Sequence, residues 1–379
     1  SQDWAYYLLS QIFVVIAFIY LWKLSNEFFK NKIYSLLAVF ILESIVFFNY
    51  TTPEFNVYVC QLPFRVLTVY YCWKSIRDNK LLNWILFGLF SSAGFLTHYS
   101  SIFLLLAITM YFIFLLVNKT KFQLNFLLPV AVFTLLITPH LIWLFDNNFT
   151  SISYALNRTG VDDKNLIDHI SNPIFFIFKQ IGILIPFLII FLFIFSKNKK
   201  KINNNIKDKK FMFLFFINIL PIVLIFLISL LTGAKIRTMW MSTFYLFLGI
   251  FFIYVFEKQI NLKKIKNFIF LFLFLFFISP ITYLYVSLTN DSKRTDYPGK
   301  EIARLVQNKW NQNFRNEIKI IVGDEWSGGN LSYHLKTRPT WVNSLKNKTS
   351  EIKINQGVIY TGNPKILKQV CPGVFGVIK

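Results

Sequence analysis

Ile137-Thr138-Pro139-His140-Leu141-Ile142-Trp143-Leu144 closes an apolar segment long enough to cross a bilayer. A polar loop follows from Phe145 to Asn172, and a second apolar segment then opens at Pro173 and carries Lys179-Gln180. The loop holds Asp146, Arg158, Asp162, Asp163, Lys164, Asp168 and His169, whereas the other connections between apolar segments are short and either lysine-rich or almost uncharged. A long polar loop between spans with ionisable residues nearby is where chemistry is expected.

The whole chain fits that reading. Of its 379 residues 55% are apolar and 19% aromatic, with 45 Phe, a composition outside that of soluble globular domains. The apolar residues fall in blocks that match a bilayer core of about 30 Å. A polytopic α-helical membrane protein of about ten spans is expected, at 12–22, 33–50, 57–73, 83–97, 101–117, 124–144, 173–196, 212–231, 239–256 and 268–288. The net charge of +22 is interleaved with Phe-rich spans, which excludes a nucleic-acid partner. Cys60, Cys72 and Cys371 form no disulfide framework.

Alternate connections differ in charge. One set (23–32, 73–83, 118–123, 197–211 and 257–267) contains nineteen Lys and Arg, and the other (49–56, 97–101, 145–172 and 232–238) contains four. Basic residues are retained on the cytoplasmic side. The long loop and everything after Leu288 are therefore expected to face outward, which in a bacterium is the periplasm.

Ionisable residues inside spans carry a cost and mark candidate sites. Glu43 and Arg65 lie at similar depths below the outer ends of the second and third spans, and an ion pair between them is expected. His98, His140, Lys179, Lys235 and Arg237 also fall at or just under the outer surface. Such a cationic chamber suits a membrane-anchored phosphate or pyrophosphate. The four histidines lack paired-ligand spacing, so no metal site is expected. In Gly233-Ala234-Lys235-Ile236-Arg237-Thr238-Met239-Trp240, two cations flank a tight turn before a span whose amides are free, which outlines an anion site. The plainer reading is cations snorkelling at an interface. Trp4, Trp143 and Trp240 read as interfacial anchors or sugar-stacking rings.

After Leu288 the pattern changes. An amphipathic helix is expected over 298–310, strands over 318–322, 357–360 and 374–378, and a short helix over 364–370. Together these make a small outward-facing α/β domain over 289–379, following a membrane domain over 1–288.

At this point the order of motifs resembles a family. Thr52-Pro53-Glu54-Phe55-Asn56, Gly94-Phe95-Leu96-Thr97-His98-Tyr99, Pro139 to Trp143, Gly233 to Trp240, Tyr297 to Ala303 and the turn from Gly323 to Gly329 are similar to the family 39-type membrane glycosyltransferases. These are relatives of the dolichyl-phosphate-mannose protein mannosyltransferases and of bacterial lipid A aminoarabinose and galacturonic acid transferases. The resemblance implies a GT-C fold and transfer of a sugar from a polyprenyl-phosphate donor to an envelope glycolipid or polysaccharide at the periplasmic face of the inner membrane.

Combined with the cations read under the outer surface, this suggests site roles. His140, Lys179, Lys235 and Arg237 would contact the donor phosphate. Glu54 would position the acceptor or assist the base. Asn56, Asp162, Asp163 and Gln180 would contact sugar or acceptor. Asp162 and Asp163 could instead hold a divalent ion, with solvated loop carboxylates as the plainer reading; no other cofactor is expected. In the family the proposed base follows the first span, in an outer loop that this sequence lacks. The chain is thus expected to be N-terminally truncated, and Asp3 is not in the expected motif. Where relatives often carry Lys after the Leu-Thr pair, this chain has His98. A transporter or flippase of a lipid-linked sugar is the alternative, but it predicts internal repeats that the sequence lacks. A glycan ligase or polymerase and a scaffold built on the tail are further rivals.

Overall fold

The computed structural model describes residues 3–160, 165–196, 202–290, 297–342 and 357–362. The chain divides into two compact units, Ser1–Leu284 and Tyr285–Lys379.

The first unit is helical. Its helices are α1 (Asp3–Phe28), α2 (Lys32–Phe40), α3 (Val57–Asp78), α4 (Leu81–Thr97), α5 (Ser101–Val117), α6 (Leu128–Asp146), α7 (Thr150–Thr159), α8 (Asp168–Ile194), α9 (Lys209–Thr232), α10 (Leu248–Phe256) and α11 (Ile265–Thr289). A ten-residue 3-10 helix, Thr238–Phe247, leads into α10. Six helical stretches among the described residues are long and apolar enough to cross a membrane: Trp4–Phe28, Leu124–Asp146, Asp168–Ile194, Lys209–Thr232, Thr238–Gln259 and Leu262–Thr289. The apolar α4 and α5 are shorter, and the expected span 57–73 falls inside α3.

The expected span 33–50 is not one helix. Regular α-helix stops at Phe40, 3-10 turns cover Ile41–Ser44 and Val46–Phe48, and Ile45 between them is extended. Ser44 Oγ donates to the Ile41 carbonyl 2.5 Å away, a local bond that competes with helical pairing. The run of β-branched and aromatic residues from Ile45 to Phe48 adds little helical preference.

Close helix packing depends on small residues. Gly249 on α10 lies directly against the carbonyl of Ala38 on α2, where a Cβ would overlap that oxygen. On α4, a Cβ at Gly88 would come within 2.8 Å of the Pro129 carbonyl oxygen. Without water to hide from, helices in lipid associate by such backbone approaches.

One end of this unit is stapled by charge. Arg77 pairs with Glu27 and Asp78, and Lys74 lies 3.1 Å from Asp78. Lys210 Nζ donates to the Glu27 carbonyl at 2.7 Å, and the Tyr111 hydroxyl donates to the Lys209 carbonyl at 3.1 Å. This is the lysine-rich end. The opposite end carries the starts of α1 and α3 and the α4–α5, α6–α8 and α9–α10 connections.

The second unit holds α12 (Gly299–Asn313), β1 (Ile318–Val322), α13 (Glu325–His334), β2 (Thr340–Val342) and β3 (Gly357–Tyr360). The strands are parallel in the order β2-β1-β3, with Ile320 opposite Thr340 and Val358. A parallel pair needs a crossover, and α13 supplies it between β1 and β2. β1 lies where a β-branched run around Lys319 predicts it, whereas β2 is three residues long and carries no run to betray it. The expected elements at 364–370 and 374–378 lie outside the described residues. Ala303 and Trp310 of α12 pack with Ile318, Ile321, Leu331 and Leu335.

Asp324 caps α13, accepting from the Trp326 and Ser327 amides at 2.9 Å each. The Ser327 amide bond, the larger cause, holds its carboxyl below the ordinary range.

Two outcomes test this packing. Gly249→Ala is expected to lower stability by ~1–3 kcal/mol in thermal unfolding of the detergent-solubilised chain. Gly182→Ala, inside α8 where nothing lies within 4 Å, should leave the midpoint unchanged or raise it, since Gly weakens a helix interior. Asp324→Ala is expected to cost ~0.5–2 kcal/mol. Because the native carboxyl is depressed, that contribution is present above the unfolded pKa and is lost as pH falls through the native one; urea unfolding at neutral and acid pH reads it.

Candidate active site

Three features gather at the end opposite the lysines. The first is a buried polar chain. Arg65 on α3 is 2% exposed. Its guanidinium lies 3.7 Å from the centre of the Phe244 ring, and it donates to the Thr243 hydroxyl. Thr243 in turn donates to Gln61 Oε1 at 3.0 Å, and Gln61 Nε2 donates to Ser101 Oγ at 2.7 Å and the His98 carbonyl at 3.3 Å. The chain ties α3 to the 3-10 helix and to the α4–α5 turn. Among the described residues, Arg65 Nε and one terminal nitrogen have no acceptor.

The expected Glu43–Arg65 ion pair does not form. Among the described residues the ion pairs are those at the lysine-rich end. With α2 ending at Phe40, Glu43 is turned away from Arg65, and the guanidinium finds an aromatic face and a hydroxyl instead.

The second feature is cationic. Arg158 lies in the last turn of α7, and the turn carrying Lys235 and Arg237 is held against the end of that helix. The backbone folds to this arrangement because the Lys235 amide donates to the Thr159 carbonyl at 3.1 Å, and Asn172 donates to the Gly233 carbonyl at 2.8 Å. Gly233 has φ +67°, a left-handed cap that glycine adopts freely. Lys235 and Arg237 are both exposed.

The other sequence-predicted residues are distributed around this end. His140 Nε2 lies 2.7 Å from the Tyr99 hydroxyl, and its ring is stacked 5.7 Å from Trp143; no described hydrogen bond or ring contact joins it to Lys235 or Arg237. Lys179 is exposed on α8, while its neighbour Gln180 is buried and accepts from the Tyr245 hydroxyl. Gln180 thus sits in the packing between α8 and the 3-10 helix. Asn56 caps α3, accepting from the Tyr58 and Val59 amides at 2.9 and 3.2 Å and donating to the Glu54 carbonyl at 3.0 Å. Glu54 itself is exposed. His98 accepts from the Ser100 amide at 3.2 Å through Nδ1, a turn-closing role. Asp162 and Asp163 lie outside the described residues. No group of three metal-ligating side chains forms among the described residues.

Sequence reading had Arg158 only as part of the loop. Its signal was an amphipathic decapeptide, Thr150–Thr159, capped by Gly160 in the left-handed region, which places a cation in the last turn of a helix rather than on a free loop.

The third feature is a cavity of about 700 Å³ between the first half of α1, the 43–53 segment and the second half of α11. Among the described residues, Glu43 is the one charged side chain lining it.

Residues 1–143 match the family model described as dolichyl-phosphate-mannose-protein mannosyltransferase. No curated protein and no solved structure matches the chain. The matched stretch runs from α1 to Trp143 and includes Glu54, Asn56 and His140; Lys179, Lys235 and Arg237 lie beyond it. Together with the apolar helices, the match supports a multi-pass membrane glycosyltransferase that uses a lipid-linked sugar donor.

The buried polar chain gives a direct test. Thr243→Val and Gln61→Leu should each cost ~1–3 kcal/mol, since each leaves a buried partner unsatisfied. The double variant should cost less than the two together by at least about 0.5 kcal/mol, read by unfolding in mixed micelles.

Proposed function

We propose that the protein transfers a sugar from a polyprenyl-phosphate-linked donor to an envelope glycolipid or polysaccharide acceptor at the periplasmic face of the inner membrane. The observation that carries this reading is the Lys235 amide bond to the Thr159 carbonyl at 3.1 Å, which holds the turn carrying Lys235 and Arg237 against the end of the helix that carries Arg158, at the end away from the lysine-rich connections. Cations retained at the cytoplasmic side leave that end facing outward, where the head of a lipid carrier rests.

The chemistry follows from charge. The acceptor hydroxyl oxygen attacks the anomeric carbon, the bond from that carbon to the phosphate oxygen breaks, and its electron pair stays on the leaving phosphate. The acceptor proton passes to a carboxylate. Negative charge grows on the leaving phosphate, so preplaced cations there lower the barrier. Lys235 and Arg237 provide them, Arg158 adds to the same field, and Lys179 and His140 are assigned to the donor phosphate on the resemblance. Glu54, exposed one residue beyond the cavity-lining Pro53, positions the acceptor. Asn56 shapes that loop through its backbone bonds. The domain over 289–379 is assigned to the same outer face.

The double variant Lys235→Ala/Arg237→Ala is expected to lower transfer by on the order of 10²-fold or more, with expression and thermal stability intact. Transfer is read with radiolabelled sugar on defined polyprenyl phosphates. Lys258→Ala, at the opposite end, should transfer normally. Near-normal transfer by the double variant would reject the phosphate-site assignment.

A further inference from the structure

The cavity beside Glu43 has a polarity gradient. On α1, Tyr7 and Gln11 line it near the helix start, and Val14, Val15 and Phe18 line it deeper. On α11, Phe276 and Phe277 line it deeper and Tyr283 lines it near the helix end. Eleven residues from Tyr7 to Phe18 span about 16 Å at helical rise. Its depth is therefore apolar, and its upper rim carries hydroxyls and amides.

The rim amides are already engaged. Gln11 Nε2 donates to the Thr52 carbonyl at 3.2 Å, and Asn49 bonds to the Glu43 carbonyl and the Tyr50 amide. The Glu43 carboxylate is half-buried and, among the described residues, has no hydrogen-bond or ion-pair partner. An apolar-walled carboxylate without a donor gains strongly from one.

The outer wall is lightly held. Of α11, only Phe268 is buried. Ring contacts at Phe272–Phe40, 4.6 Å, and Tyr283–Tyr50, 5.7 Å, join it to the 2nd helix and the turn beyond. A lipid chain can reach the cavity from the bilayer by passing this single helix.

We propose that this cavity is the acceptor berth, taking a lipid whose chain lies against Phe18, Phe276 and Phe277 and whose uncharged, hydroxyl-bearing head donates to Glu43. The inference rests on the sugar-transfer reading only in naming the occupant an acceptor. An anionic head is disfavoured, because a phosphate would meet a carboxylate with no cation lining the same space. The donor phosphate thus belongs with Arg237 and the acceptor with Glu43. The link between them is short: four residues lie between cavity-lining Pro53 and Tyr58, at most about 18 Å of chain.

The test uses the full chain in nanodiscs without donor. Two diazirine probes of equal chain length are compared, a neutral monoacylglycerol and the corresponding phosphate monoester, and labelled peptides are mapped by mass spectrometry. The neutral probe is expected to label the Tyr7–Phe18 and Phe276–Tyr283 peptides at least tenfold more than the phosphate ester. Glu43→Lys should reverse that order, and Val15→Trp should cut neutral labelling about tenfold while the thermal midpoint holds. Equal or greater labelling by the phosphate ester on the unmodified protein overturns the proposal, as does undiminished labelling of Val15→Trp. Because the readout is binding, it is independent of Lys235→Ala/Arg237→Ala. If labelling is as expected but Val15→Trp still glycosylates the monoacylglycerol at the unmodified rate, the acceptor assignment is overturned.

Discussion

A cation without a counter-ion organises the end of the membrane unit where the candidate site lies. Arg65 is buried against the Phe244 ring and bonded to Thr243, and Thr243 passes the connection through Gln61 to Ser101. Burying an isolated charge is expensive. It is sustained here by an aromatic face and a hydrogen-bonded chain, each of which fixes the position of another element. The 3-10 helix after Arg237, the start of α3 and the α4–α5 turn are therefore held in one arrangement. The exposed cations and Trp240 inherit that rigidity because they sit one to a few residues away.

The two ends of the unit are built differently. At the lysine-rich end, ion pairs and backbone carbonyls join α1, α3 and α9. Such exposed pairs add little stability each, but they fix which helices meet. At the other end, side chains bond mostly to backbone: Asn56, Asn172 and His98 close turns and caps. That leaves Arg237, Lys235 and Glu54 exposed and available to a ligand. The charges also separate. Cations lie on the α7 and Gly233–Trp240 side, and the carboxylates of Glu43 and Glu54 lie at or beside the cavity. A reaction that pushes negative charge onto one partner and removes a proton from the other is suited to that division.

Some of this was legible in the chain. Gly233 marks the tight turn after α9, and 318–322, short and β-branched around Lys319, is the expected strand, whereas the expected turn at 323–329 is mostly the start of α13, capped by Asp324. What failed is instructive. Placing Glu43 opposite Arg65 assumed that 33–50 keeps helical phase, and the phase is lost at Ile41. Gln180, expected to contact sugar or acceptor, is buried and accepts from Tyr245 while Lys179 is exposed, because successive residues on a helix are rotated by about 100°.

The sequence by itself determined the properties that are sums or local periods: a membrane-embedded helical chain, an excess of lysines in alternate connections and a change of character near residue 288. Tertiary structure alone decided the rest: the turn carrying Lys235 and Arg237 against the end of α7, Arg65 on Phe244, and a cavity formed by α1, α11 and a broken helix. Those contacts depend on the rotation and approach of elements far apart in the chain. In an apolar medium almost any face of a Phe-rich helix can pack, so its pattern does not encode which neighbour it meets.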